Sequence, residues 1–530
     1  MPANLTNLNI DIKETSSDIR TITGVSTSVT AFIGRARKGP IDKSILIHSF
    51  SEFERIYGGI WKESYLGYVV DQYFNNGGRN ALIIRVISIP QNSNEDKLKY
   101  EYTIGFPPNS INVIFQSANP GSWAKNLSIK MVTKKEEVDE KLRKIDKTLC
   151  NLYIYDDKKL LETFRNLSLN ESSSRFIRPV LEVGSEFVTV VKVEGIVPNS
   201  DIPDDNESIS ITTPYIGGDG DPITATEIQG TANPKRGLFL LENVDIFNLL
   251  CIPSFSLDAS PETSVDDLVK MYGKAHELCE KKRAFLLVDP LVKWTDTNKV
   301  IIDFYNNTFP LPRNENMGIF FPRIIYPDKE DENRPRNFPP CGVIAGVIAR
   351  TDTEHGVWKA PAGLEATLKG IIGLTVNLTD EEKEALNKIG INCLRKFFGG
   401  FVVWGSRTLK GENRFPNEWK YIPVRRTALF IEESLYRGTQ WVIFEPNNEK
   451  LWAQIRLNVN TFMQDLFLKG AFQGTDPKKA YFVKCDSDTT TQTDINNGIV
   501  NIIVGFAPLK PAEFVIIKIQ QIIQTEASNK

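Results

Sequence analysis

The chain has 530 residues, 41% hydrophobic and 24% charged, an ordinary globular balance with room for two to four domains. A net charge of −3 gives no electrostatic reason to expect nucleic acid as the partner of the whole chain. Six scattered cysteines with no CxxC pair argue against a disulfide framework or zinc knuckle and fit a reducing compartment. No apolar run approaches the roughly 18 residues of a membrane span, so direct membrane insertion is not expected.

In chain order, Leu8, Ile10 and Ile12 alternate with polar neighbours in an otherwise polar start, which predicts a strand-like N-terminal arm over 1–22. Globular patterning follows over 23–90: short strands at 29–33 and 45–47, a helix that Ser49 or Ser51 can cap, a helix over 65–75, and a nearly continuous apolar strand at 81–87. Residues 91–234 carry short strands and polar turns, the profile of a β-rich inserted outer domain. Strand–helix alternation resumes over 235–350, with strands at 247–252, 283–288 and 317–326 and a helix over 265–281. The strand at 81–87 is therefore expected in the same sheet as those after 240. Residues 328–334 read as a solvated loop, and 341–349 as a glycine-punctuated helix.

A C-terminal domain is expected over 351–510. It holds a helix over 380–389, strands at 392–398 and 401–407 joined through Gly399-Gly400, and long helices over 424–440 and 447–469. In the second long helix Leu451, Ile455, Val459, Phe462 and Leu466 form one apolar face. The chain closes with an arm over 511–530, where Val515, Ile517 and Ile519 share one strand face and Phe514 lies on the other. A long apolar strand at a chain end needs a partner, since left bare it invites aggregation. The fold class is α/β (α+β overall), multidomain, with extended terminal β-arms.

No catalytic constellation emerges: there is no GxSxG, phosphate-loop, HExxH or EF-hand spacing, and the three histidines lie in unrelated segments. No catalytic, metal or cofactor residue is assigned. Charge is uneven between Ile391 and Arg426, where eight basic residues face two acidic ones. The stretch is either a solvated face or a docking surface for an acidic partner, with Arg395, Lys396, Arg407, Lys410, Arg425 and Arg426 as its candidates.

Separate motifs then resemble contractile tail sheath proteins. They are Gly24-Val-Ser-Thr-Ser-Val-Thr-Ala-Phe-Ile-Gly-Arg-Ala-Arg-Lys-Gly-Pro40, Phe74-Asn-Asn-Gly-Gly78, Trp358-Lys-Ala-Pro-Ala-Gly363, Phe444-Glu-Pro-Asn447, Gly470-Ala-Phe-Gln-Gly474 and Gly505-Phe-Ala-Pro-Leu-Lys-Pro-Ala-Glu-Phe514. A Pro-Gly-Val-Tyr opening frequent in such sheaths is replaced by Asn7-Leu-Asn-Ile-Asp-Ile-Lys13.

The resemblance implies a structural subunit, not an enzyme, that polymerises as stacked hexameric rings around an inner tube protein and contracts to drive the tube into a target. Its implied partners are copies of itself, the inner tube, baseplate and terminal cap proteins, and sheath paralogues. The implied setting is assembly in the bacterial cytoplasm into a phage tail-like particle that can be released. The implied role of both arms is to add strands to sheets of neighbouring subunits, and the implied orientation of the C-terminal domain is toward the tube. Two other classes stay open from sequence: an α/β enzyme whose terminal strand completes its own sheet, and a static shell or tube protein.

Overall fold

Continuous apolar runs become inner strands, because only a sheet covered on both faces buries every side chain of such a run. In the computed structural model, Thr30–Gly34, Ala81–Arg85, Leu249–Cys251, Phe285–Val288 and Met317–Phe321 are buried at every position. With Ile391–Phe397 they form the parallel centre of an eight-stranded sheet. Its order is Gly400–Trp404, Ile391–Phe397, Met317–Phe321, Phe285–Val288, Leu249–Cys251, Thr30–Gly34, Ala81–Arg85, Ile45–Ile47. Both edge strands run antiparallel to their neighbours. The described residues are 20–90, 94–106, 111–133, 142, 146–195, 207–209, 211–212, 217–253, 265–306, 308–413 and 417–513.

The sheet manages its edges. Ile45–Ile47 is only three residues long, and a short edge offers little template for pairing. The Gly400–Trp404 edge is covered by the chain at 363–368, where Gly363 and Leu368 donate N–H to the Val403 and Phe401 carbonyls at 2.9 and 2.8 Å.

Two helices cross at close range beside this sheet. A Cβ on Gly346, in helix Cys341–His355, would lie 2.6 Å from Asn76 Cβ and 2.7 Å from the Tyr73 carbonyl oxygen; one on Gly342 would lie 2.2 Å from the Val69 oxygen. Helix propensity alone favours alanine over glycine by about 1 kcal/mol, so Gly346→Ala separates propensity from fit. We expect a net loss of about 2 kcal/mol, seen as a lower urea midpoint at unchanged slope. A higher midpoint would mean that the helices can part freely.

The same helix begins against a buried carboxylate. Asp289, 3% exposed, follows Phe285–Val288 and accepts the Cys341 N–H at 3.0 Å. Burial pushes its carboxyl up to about 6, against the opposing pull of the Cys341 hydrogen bonds and the Arg323 charge. The folded chain thus holds this proton more tightly than the open chain, whose reference value is 3.8. The stability it contributes is complete below that value and is lost as pH rises through about 6. Asp289→Asn keeps an oxygen for Cys341 and removes the charge. The variant should flatten this part of the stability–pH profile and be more stable than the parent at pH 7.5; an unchanged profile would contradict the assignment.

The segment after Ala81–Arg85 forms two four-stranded sheets. One is ordered Glu207–Ile209, Leu127–Val132, Leu149–Asp156, Lys159–Ser168; the other Ile211–Thr212, Glu101–Phe106, Ile111–Ser117, Val188–Glu194. All their pairings are antiparallel. Alternate residues, among them Tyr102, Ile104, Val113, Phe115, Ile129, Met131, Leu152 and Ile154, fill one shared core. The ladders shift register at Ile114/Phe115, Cys150/Leu152 and Ile154/Tyr155, so the alternation is interrupted there.

Three expectations need correction. The predicted strand over 317–326 is two strands in two sheets: Pro322 lacks an N–H for the ladder, and Ile324–Asp328 leaves to pair with Arg334–Phe338 and Gly373–Leu374. The turn at 328–334 is not solvated throughout, because Asp328 is fully buried and accepts from the Tyr68 hydroxyl and, at 2.8 Å, from Arg336. The C-terminal domain is not continuous over 351–510, because Pro361–Lys420 belong to the larger unit. The chain divides into one unit of Met1–Ser26, Asp352–Ala360 and Tyr421–Lys530, and a larger one of Thr27–Thr351 and Pro361–Lys420. The cause is the hairpin Ile391–Phe397/Gly400–Trp404, whose first strand is hydrogen-bonded into the eight-stranded sheet.

Candidate assembly surface

The smaller unit is built on helix Glu449–Leu468, whose Leu451, Ile455, Val459, Phe462 and Leu466 are all buried. Against it lies a two-stranded antiparallel sheet, Tyr481–Lys484 with Ile503–Phe506. Strand alternation turns Tyr481, Val483, Val504 and Phe506 toward this core, where Phe472 lies against the Tyr481 and Phe506 rings. Phe482 and Ile503, at 49% and 47% exposure, face outward. The Phe482 ring lies over Gly505, where a Cβ would come within 2.3 Å of it. Among the described residues no third strand pairs with either edge. A pair of strands this short is marginal alone, and bare edges are templates for another strand.

Both terminal segments enter this unit. On the N-terminal side, Arg20 donates its N–H to Asn458 Oδ1 at 3.1 Å and Val25 donates to Ser434 Oγ at 3.2 Å. Ile22 is buried against Gly438, and Gly24 sits against the Phe430 ring. On the C-terminal side, the Tyr421 hydroxyl donates to Glu513 at 3.0 Å. The expected arm residues Leu8, Ile10, Ile12, Phe514, Val515, Ile517 and Ile519 lie outside the described residues.

The basic stretch does not form one surface. Arg407 is 1% exposed and spends its guanidinium on the Asn387 and Gly411 carbonyls and on Asn413. Arg426 is 4% exposed and pairs bidentately with Asp352 at 2.8 and 2.6 Å. Both are corrections: in each, the charge is consumed inside the fold, where it positions helix ends and turns. Lys410 reaches Glu315 at 3.0 Å, and Arg425 reaches Glu432 at 3.3 Å in the other unit. Arg395 lies 4.5 Å from the Phe397 ring centre and 5.5 Å from that of Trp404; Lys396 lies 5.8 Å from that of Phe401. The tip of this hairpin exposes Phe398 completely.

Sequence reasoning missed Asn458 and Ser434. Asn458 is 2% exposed on the apolar side of its helix, and a polar residue beside Leu451, Ile455, Val459 and Phe462 was the available signal. Phe444, which opens the motif Phe444-Glu-Pro-Asn447, is fully exposed at φ 72°, a backbone conformation costly for a bulky side chain. All six thiols are buried and unpaired. Among the described residues no group of three or more His, Cys, Asp or Glu could hold a metal, and no helix is long and apolar enough to cross a membrane.

Two family models match in series: the phage tail sheath protein central domain over residues 241–409 and the phage tail sheath C-terminal domain over 416–522. The chain belongs to the phage tail sheath family. The tail sheath protein of Vibrio phage KVP40 is 29% identical over 136 residues, covering 25% of the chain and 20% of the relative. The matched stretch thus spans about a fifth of the length of the curated tail sheath relatives. Solved structures match over nearly the whole chain. The anti-feeding prophage helical sheath in its contracted state aligns over 98% of this chain and 100% of that one, at 21% identity and TM-score 0.58. A chain from the sixfold-symmetrised anti-feeding prophage baseplate aligns over the same shares at TM-score 0.57 and 21% identity. The division near 410–416 between the two family models falls close to the unit boundary at Tyr421.

Proposed function

We propose that this chain is a structural subunit of a contractile sheath, without catalytic activity, which polymerises around an inner tube and contracts to drive that tube into a target. The observation that carries this reading is the two-stranded sheet whose edges no third strand pairs with among the described residues, built on the unit that both terminal segments enter. Leu8 to Ile19, extended, reach about 40 Å from Arg20, and Phe514 to Ile523 about 33 Å from Glu513. Either distance is enough to meet a neighbouring copy. Strand addition draws affinity from main-chain hydrogen bonds and register from alternating side chains. Arms that bind by their ends also let folded bodies rotate without parting, which contraction requires.

Supporting relatives include a helical sheath and a sixfold baseplate. On that pattern the partners are copies of this chain in hexameric rings, an inner tube, a baseplate and a terminal cap, in a particle assembled in the bacterial cytoplasm. Arg395 and Lys396 on the exposed hairpin, with Lys410 and Arg425, are the remaining candidates to face the tube.

Electron microscopy of the purified protein tests the reading. Long striated tubes are the expected result, in two helical states of different diameter when prepared with and without the inner tube. Small discrete particles at all concentrations would overturn the polymer; tubes of one invariant geometry would overturn contraction.

A further inference from the structure

The inserted domain has longer strand edges than the smaller unit. Among the described residues its two sheets end at Lys159–Ser168 and Val188–Glu194, strands of ten and seven residues. Their opposite edges, Glu207–Ile209 and Ile211–Thr212, are only three and two residues long. A long bare edge is a template for another strand, whereas a short one offers little. The first two edges are therefore the ones that need closing.

Each of these strands carries a bulge, and each bulge is held by an arginine from the one segment that connects them. Arg165 and Asn166 share the place opposite Asn151, and Val191 is the extra residue between Val190 and Lys192. Such extra residues are left out of the ladder. Arg175 donates from Nε to the Asn166 carbonyl and from Nη2 to the Arg165 carbonyl, both at 2.6 Å. Arg178, three residues on, donates to the Val191 carbonyl in the other sheet. Helix Ile177–Gly184 starts between the two arginines and buries Ile177 and Leu181 in the shared core. Just beyond its far end the chain is tied back to the first edge, where Glu162 accepts the Ser185 hydroxyl at 2.7 Å and the Glu186 N–H at 2.9 Å.

We propose that Arg175 and Arg178 close both long edges of the insertion to strand addition by a second copy of this chain. The bulges twist the edges away from a flat template. The guanidinium groups occupy carbonyls that an incoming strand would need, and the helix covers the side between the two edges. This goes beyond the arm reading above, because it concerns where strands are refused: copies in contact cannot cross-link through their insertions.

Arg175→Met combined with Arg178→Met in the full-length chain tests it, since methionine keeps an apolar stem and loses the donors. Held below its unfolding temperature, the double variant should raise thioflavin T fluorescence about tenfold faster than the parent, as one lost hydrogen bond does to the population of an open edge. Backbone hydrogen exchange should slow over 159–168 and 188–194 as it associates. A rate equal to the parent's would overturn the closure. So would slowing confined to Tyr481–Lys484 and Ile503–Phe506, which would place the new contacts in the smaller unit. The parent in concentrated salt separates closure from charge. It should stay slow; a parent that then matches the variant would show that repulsion, screened by salt, had kept the copies apart, and would overturn the proposal. If circular dichroism shows that the pair loosens the fold, Arg175→Met alone, at an exposed position, must show the effect. None of these results requires tubes, so this test can fail while the sheath reading stands.

Discussion

A chain ending at Glu513 is expected to remain a folded, soluble monomer at concentrations where the full-length protein forms tubes. The core of the smaller unit, from Ile22 through Trp452, Ile455 and Phe462 to Cys485, lies inside the retained residues, as does the Tyr421–Glu513 bond. Folding therefore has no reason to suffer. What is lost is the segment whose Val515, Ile517 and Ile519 recur at the two-residue period expected of a strand. Burying each such side chain contributes about 1.5–3 kcal/mol, and ordering each residue opposes it by about 1–2 kcal/mol, so one arm binds weakly. A lattice multiplies that weak contact through effective concentration, and removing it from every subunit at once should abolish assembly outright. Sedimentation and microscopy read the result. Tubes formed by the truncated chain would show that the arm is dispensable.

The second large effect is expected inside the larger unit, at Arg85. Its side chain is 2% exposed and donates to the Ala36, Gly39 and Pro120 carbonyls at 2.9, 2.7 and 2.8 Å. Every close acceptor is main chain, two on the turn after Thr30–Gly34 and one in the inserted sandwich domain. Arg35 repeats the pattern by donating to the Asp219 carbonyl at 3.0 Å. Burial pushes the Arg85 guanidinium down to about 10, with Asp219 opposing, so it stays charged at neutral pH. Arg85→Met fits the volume but strands three buried carbonyls, each carrying about 1–3 kcal/mol when left unsatisfied. A loss of about 4 kcal/mol is expected, a large part of the 5–15 kcal/mol typical of a folded domain. Urea unfolding should show it, with proteolysis appearing first near Pro120. An unchanged midpoint would mean that the insertion is held by its apolar contacts alone.

How far the sequence revealed this molecule depends on how local each signal is. The runs around Ala81, Leu249, Phe285 and Met317 announced buried parallel strands, since a fully apolar run has few other ways to exist in water. The stripe from Leu451 to Leu466 announced its helix. Contacts between distant segments left no periodic trace. Nothing near Asp352 points to Arg426, and nothing near Arg20 points to Asn458. Charge counting erred for the same reason: Arg407 and Arg426 look like surface charge because burial and pairing are properties of the fold, and Arg395, half-buried, is likewise paired with Asp380 at 3.3 Å. Residues 361–420 read as part of the wrong unit because hairpin 391–404 has the composition of either and is claimed by hydrogen bonds to Met317–Phe321.

The decisive view is a cryo-electron microscopy map of the assembled polymer, traced strand by strand around Tyr481–Lys484 and Ile503–Phe506. The expected map shows added strands along those two edges, contributed by the terminal segments of other copies. A map in which the edges stay bare, or are filled by the same chain's own ends, would contradict strand exchange as the basis of assembly.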